Sequence, residues 1–152
     1  MISPTRLGIR SDAAGSGEFN APRGGRRRHA GIDFLCAPGQ DLYMPIDSGR
    51  LIRWRYPYAE DLRWKGIHIV GKDHDAELEL VIFYCVCELA GDRVFKRGEV
   101  IGYCQDITQH YPGQGMRSHV HLQIERINPM RLMTQSHFYN WAEWSAEQWA
   151  KG

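Results

Sequence analysis

From His29 onward the chain consists of short apolar runs, each ended by a turn rich in glycine, proline or aspartate. Runs of this length, bounded by turn residues, predict β-strands, and their close succession predicts an antiparallel, mainly β domain. The runs cover residues 32–35, 42–44, 50–54, 67–70, 78–87, 100–103 and 119–124. Between 70 and 78, the sequence Gly71-Lys72-Asp73-His74-Asp75 has the composition of a hairpin turn.

The two ends of the chain differ from this central region. Residues 1–27 are rich in glycine, serine, arginine and alanine and have no hydrophobic period, so we expect an irregular N-terminal arm. Residues 28–133 form the predicted β domain. Residues 134–152 are predicted to form an amphipathic helix whose aromatic face packs on that domain, although such a face also suits a partner protein. The aromatic face comprises Phe138, Trp141, Trp144 and Trp149.

Composition excludes several classes of function. A chain of 152 residues with a net charge of +1 lacks the basic field that nucleic-acid binding needs. Its dense basic run, residues 26–28, is typical of a solvated loop. No apolar stretch approaches the ~20 residues that a membrane span requires. We therefore expect a monomer without a membrane span and without nucleic acid as a partner.

The cysteines predict the compartment of synthesis. Cys85 and Cys87 lie two apart in an apolar run, so on a strand they share a face and do not easily bond to each other. Free buried thiols are therefore expected, as in a protein made in a reducing cytosol. The N-terminus shows no apolar run after a basic start, which predicts synthesis without a signal peptide.

Two histidine clusters carry the chemistry. In His29-x-Gly31-x-Asp33, an extended segment turns His29 and Asp33 to one side, and Gly31 admits a close backbone approach. In His119-x-His121, the two imidazoles again share a strand face. Two imidazole nitrogens and one carboxylate form the ligand set of a catalytic zinc site that leaves a fourth position for water. Either cluster alone suits a surface strand, but the two together favour a metal site.

Several segments make the sequence resemble the lysostaphin-type zinc peptidases of bacterial cell walls. These segments are His29-x-Gly31-x-Asp33, residues 44–51, the hairpin at 94–102, Ser118-His119-Val120-His121 and Asn128-Pro129. They follow the family's order and approximate spacing from about residue 28 to residue 133. The hairpin also resembles lipoyl-carrier domains, so the two histidine motifs are the specific part of the resemblance.

The resemblance implies a role for each matching residue. His29, Asp33 and His121 match the zinc ligands, and His119 matches the histidine that acts as a base. At the position where the family carries a further histidine this chain has Val86. The chemotaxin branch of the fold (leukocyte cell-derived chemotaxin) also lacks that histidine. Candidates for its replacement are His68, His110 and Tyr84.

These assignments predict a zinc-dependent endopeptidase that cleaves peptide cross-links of bacterial peptidoglycan within an open groove of the sheet. The alternative is a catalytically impaired zinc-binding module that acts as a binding protein, because valine can neither donate a hydrogen bond nor move a proton. Without a signal peptide, access to the cell wall is expected through phage lysis, a phage tail or a contact-dependent secretion system.

Overall fold

A computed structural model describes residues 1–127. The predicted helix at 134–152 and the Asn128-Pro129 pair lie outside these residues. The strands are β1 Ser11–Asp12, β2 Gly15–Ser16, β3 Ile32–Leu35, β4 Asp41–Tyr43, β5 Ser48–Arg55, β6 Gly66–Gly71, β7 Glu79–Phe83, β8 Cys85–Cys87, β9 Phe95–Lys96, β10 Val100–Cys104 and β11 His119–Arg126. Over the same residues, no helix has the length and apolar character needed to cross a membrane.

The strands form antiparallel sheets. The largest sheet has six strands in the order β3-β11-β7-β6-β5-β9, and a second sheet has the order β4-β10-β8. Every pairing in them is antiparallel, which confirms the mainly β, antiparallel fold predicted from the sequence. The predicted turn between β6 and β7 contains a short 3-10 helix, Asp73–Asp75.

Side-chain alternation on the two strands β3 and β11 separates the core from the polar face. Ile32 and Phe34 are fully buried in the hydrophobic core, so Asp33 between them points to the other face. On β11, Val120 and Leu122 enter the same core, which turns the histidines of this strand to the side of Asp33. The hydrophobic pattern therefore places polar side chains of both strands on one face.

The run predicted as one strand at 78–87 is divided at Tyr84. Its φ of +67° lies in the left-handed region, and this interrupts the alternation of side chains. Before it, β7 pairs with β6 and β11 in the large sheet. After it, β8 pairs with β10 in the small sheet. The side of the sheet on which Val86 lies therefore cannot be inferred from Tyr84 by the alternation of side chains along a strand.

The N-terminal arm lies along β3. Leu35 N–H donates to the Gly8 carbonyl at 2.9 Å, and Asp33 N–H donates to that of Gly17 at 2.8 Å. Arg10 N–H in turn donates to the Asp33 carbonyl at 2.8 Å. These bonds satisfy an edge of the sheet that would otherwise be open to pairing with another chain. Apart from the β1–β2 hairpin and isolated bridges, the arm has no regular structure.

The four cysteines are buried, and no disulfide joins any two of them. We expect all of them to react with an alkylating agent in the unfolded, unreduced chain, because each is a thiol. Mass measurement after alkylation in denaturant without reductant should show four labels. A reduced sample provides the control, and fewer labels without reductant than with it would contradict the prediction.

Candidate metal centre

Three side chains, one from β11, one from β3 and one from the segment before β3, converge on one point. His29 Nε2 lies 2.9 Å from His121 Nδ1 and 3.0 Å from Asp33 Oδ1, and His121 Nδ1 lies 2.9 Å from the same oxygen. Ligand bonds of about 2.0–2.2 Å to a tetrahedral zinc separate the ligand atoms by roughly 3.3–3.5 Å. The triangle therefore needs to widen by only about half an ångström to hold an ion. Its donor set suits a divalent metal.

Each imidazole of this triangle is oriented through its other nitrogen. His29 Nδ1 lies 2.8 Å from the Glu18 carbonyl, which fixes its Nε2 toward the triangle. His121 Nε2 lies 2.9 Å from Gln123 Oε1, which leaves its Nδ1 as the inward atom. Metal-binding histidines are generally held in this way by an outer partner. The inward nitrogens of the two rings, His29 Nε2 and His121 Nδ1, are therefore oriented to coordinate the same ion.

The carboxylate of Asp33 is shared between the two histidines and the arm. Its Oδ2 accepts hydrogen bonds from Arg10 Nη2 at 3.1 Å and from Arg10 Nε at 3.3 Å, and Arg23 Nη2 lies 3.5 Å away. Burial opposes ionisation of Asp33, but hydrogen bonds from His121 and His29 outweigh it and hold its pKa far below its ordinary value. Asp33 is therefore an anion at neutral pH, with Oδ1 facing the triangle.

His119 stands beside the triangle without joining it. Its Nδ1 lies 2.8 Å from the Arg117 carbonyl and therefore carries the proton, which leaves Nε2 with a free lone pair. This Nε2 is 3.8 Å from Asp33 Oδ2. Burial lowers the pKa of His119, although the Asp33 charge partly opposes the shift. The ring is neutral at pH 7 and can accept a proton.

A chain of tyrosine hydroxyls reaches the same cavity. Tyr58 Oη lies 3.1 Å from Tyr84 Oη and 2.5 Å from Tyr111 Oη. Burial raises the pKa of Tyr84 to about 12, so this hydroxyl stays protonated at neutral pH. Three hydroxyl protons serve two hydrogen bonds, and one proton is left to donate elsewhere. Tyr84 and Tyr111, the two ends of the chain, line the cavity.

The candidates for a replacement of the family histidine are placed differently. Tyr84 lies beside His119, with ring centroids 5.5 Å apart. His68 contacts Glu79 at 2.9 Å, and His110 stacks on Tyr58 with centroids 4.2 Å apart. Neither His68 nor His110 is among the described residues that line the cavity. Val86 lines a different cavity, because the chain turns at Tyr84.

The cavity around the triangle has a volume of about 520 Å³ and a basic lining that sequence analysis did not assign. Its arginines are Arg10, Arg23, Arg27 and Arg28. The arm and the loop before His29 supply them, and the sequence indicated only a solvated loop at 26–28. For Arg27 and Arg28 the signal in the sequence was their position directly before the candidate metal-binding motif.

Comparison with solved structures defines the fold. The catalytic domain of the antimicrobial peptidase lysostaphin from Staphylococcus simulans matches with a TM-score of 0.52 at 18% identity, covering 91% of each chain. A second structure of the antimicrobial peptidase lysostaphin from the same organism matches with a TM-score of 0.51 at 14% identity, over 95% of this chain and 58% of its own. The fold is therefore of the lysostaphin type, as the sequence motifs predict. No protein-family model matches the chain.

Comparison of sequences identifies the family. Leukocyte cell-derived chemotaxin-2 of Mus musculus is 30% identical over 113 residues, which are 74% of this chain and 69% of the relative. Myeloid protein 1 of Gallus gallus is 28% identical over 124 residues, 78% of this chain but 35% of the longer relative. The chain belongs to the leukocyte cell-derived chemotaxin-2 family, the branch of the fold that also lacks the histidine replaced here by Val86.

Gly31 makes the triangle sterically possible, and its replacement tests this. A Cβ on Gly31 would lie 2.2 Å from the Leu122 carbonyl oxygen and 2.8 Å from His121 Nε2, so Gly31→Ala must displace β11. We expect a loss of about 1–3 kcal/mol in the free energy of unfolding. Thermal unfolding should show a melting temperature lower by several degrees. Gly24→Ala, where the nearest atom is Arg27 Nη2 at 3.8 Å, is the control. Equal stability of the two variants would refute the close approach.

Proposed function

We propose that the protein is a zinc-dependent endopeptidase that cleaves peptide cross-links of bacterial peptidoglycan. The observation that carries this proposal is the convergence of His29 Nε2, Asp33 Oδ1 and His121 Nδ1 beside the free Nε2 of His119. Bound by the three ligands, a zinc ion would polarise the scissile carbonyl and lower the pKa of a water molecule. The lysostaphin-type fold supports the same class of reaction.

Each remaining step falls to a residue of this chain. His119 accepts a proton through Nε2, because its Nδ1 proton is held by the Arg117 carbonyl. The tyrosine chain supplies one hydroxyl proton to the cavity, and Tyr84 is the member next to His119. A hydroxyl donor at this position can stabilise the oxygen on which negative charge develops. Tyr84 thereby takes part of the role that the further histidine has in the lysostaphin-type peptidases.

The second candidate function is a zinc-binding module that recognises a partner without cleaving it. It is favoured by the described lining of the cavity, in which His29, His119 and His121 are the imidazoles and no further histidine takes part. Arg10 also occupies Oδ2 of Asp33, which closes part of the centre from the arm side. The mouse relative is named a chemotaxin, a name that describes attraction of cells rather than hydrolysis.

The proposed substrate implies action at the bacterial cell wall. We propose delivery from the cytoplasm by phage lysis, a phage tail or a contact-dependent secretion system. Incubation of the zinc-loaded protein with purified peptidoglycan, followed by mass spectrometry of released fragments, separates the two candidate functions. New peptide ends support the endopeptidase. Retention of the protein on peptidoglycan without new peptide ends supports the binding module.

Metal content tests the ligand assignment. We expect about one zinc per chain, lost for the most part in His121→Ala and Asp33→Asn, because each removes a ligand. Gln123→Ala should keep zinc but weaken its binding roughly 10- to 100-fold, because only the orientation of His121 is lost. Elemental analysis and competition with a chelator measure both effects. His74→Ala, exposed in the turn after β6, is the control. Full zinc content in both ligand variants would refute the assignment.

Proton transfer by His119 is tested separately from metal binding. His119→Ala should keep its zinc and lose about 10²–10⁴ in rate on peptidoglycan, because the three ligands remain while the base is removed. Tyr84→Phe should lower kcat while leaving zinc and folding intact, because it removes only a hydroxyl. Loss of zinc in His119→Ala would make His119 a ligand. Unchanged rates in both variants would exclude them from catalysis.

A further inference from the structure

A tight hairpin carries the basic run of the sequence to the candidate metal centre. Pro22 and Arg28 form an antiparallel bridge, and Arg23 N–H donates to the Arg27 carbonyl at 3.1 Å. His29 N–H donates to the Ala21 carbonyl at 2.9 Å, so the hairpin ends directly at a ligand residue. The loop is therefore anchored to the centre at its base, and Arg27 and Arg28 line the cavity.

The arginines of the cavity divide into two groups by their partners. Arg10 forms ion pairs with Asp12 at 2.7 Å and with Asp33 at 3.1 Å, and Arg23 lies 3.5 Å from Asp33. Arg27 donates through Nε to the neutral Gly24 carbonyl at 3.3 Å. Among residues 1–127, neither Arg27 nor Arg28 forms an ion pair with a carboxylate. Within the described part of the chain, these two guanidinium groups of the cavity have no carboxylate partner.

Arg27 and Arg28 place this positive charge at the wall of the cavity. A concave, low-dielectric wall concentrates the field of like charges and raises the local concentration of anions. The guanidinium group offers a planar fork of donors that matches a carboxylate better than any other charged side chain does. Arg26, their neighbour, is exposed as they are, but it is not among the residues that line the cavity. The same cavity is therefore lined by the candidate metal triangle and by two arginines that are suited to bind an anion.

We propose that Arg27 and Arg28 bind a carboxylate of the ligand, so that the cavity selects acidic peptides over neutral ones. The inference rests on the proposed use of the cavity as a peptide site. A peptide whose backbone approaches the His29-Asp33-His121 triangle brings its neighbouring side chains to the hairpin. A carboxylate there exchanges water for two charge-assisted hydrogen bonds. The preference for acidic peptides arises from binding to the two arginines, so it does not depend on hydrolysis.

Binding of two matched peptides tests the proposal. The probes are end-blocked pentapeptides of four glycines with either glutamate or glutamine in the centre, titrated against the zinc-loaded full chain by calorimetry. We expect the glutamate peptide to bind roughly three- to tenfold more tightly at low salt. This preference should shrink as salt screens the exposed arginines. It should persist in the metal-free chain, because neither arginine is a metal ligand.

Single variants separate local recognition from overall charge. Arg27→Ala and Arg28→Ala should each reduce the preference for glutamate, whereas Arg26→Ala removes the same charge outside the cavity and should retain it. Equal binding of the two peptides to the wild-type protein would overturn the proposal. An equal loss of preference in Arg26→Ala would overturn it as well, because net charge alone would then explain the effect.

Failure of this inference can be distinguished from failure of the proposed function. Preference for glutamate without release of peptidoglycan fragments supports the anion site and refutes the endopeptidase. Release of fragments with equal binding of both peptides refutes the anion site alone. Circular dichroism and zinc content of each arginine variant establish that the fold and the metal centre are intact.

Discussion

The register between β3 and β11 is the constraint on which the candidate site depends. His121 lies opposite Asp33 in this pairing, and Leu122 lies opposite Ile32. Because side chains alternate along a strand, a slip of one residue would turn the donors into the core and bring Ile32 and Leu122 out of it. The burial of Ile32, Phe34, Val120 and Leu122 therefore fixes the register, and the hydrophobic effect indirectly positions the ligand atoms.

Sequence patterns predicted this part of the structure well because it depends on local alternation. The strands near residues 32–35 and 119–124 and the polar face they share follow from a period of two. The same argument fails at Tyr84, whose left-handed conformation divides the run at 78–87 and places Val86 at a different cavity. No sequence pattern predicts a positive φ at a tyrosine. Here the conformation occurs where the chain leaves one sheet and enters the other, β7 pairing in the large sheet and β8 in the small one.

The contacts between the N-terminal arm and Asp33 could not be predicted from the sequence, for a different reason. Arg10 is separated from Asp33 by more than twenty residues, and the irregular sequence between them gives no period from which to infer an approach. Only the folded chain shows that Gly17 packs against Asp33, where a Cβ would lie 2.7 Å from the aspartate Cβ. The arm thus adds positively charged partners to a buried carboxylate.

The net charge of the candidate metal centre bears on the role of Arg27 and Arg28. Asp33 is the single carboxylate among the described residues that line the cavity, and Arg10 already pairs with it, so a divalent ion bound there would retain a net positive charge. Arg27 and Arg28 add to this charge instead of offsetting it. Such an arrangement disfavours a closed structural site, in which ligands and neighbours usually neutralise the ion, and favours an incoming anionic group. The same electrostatic argument applies to an enzyme and to a binding module. The two differ in whether His119 and Tyr84 act on the bound ligand.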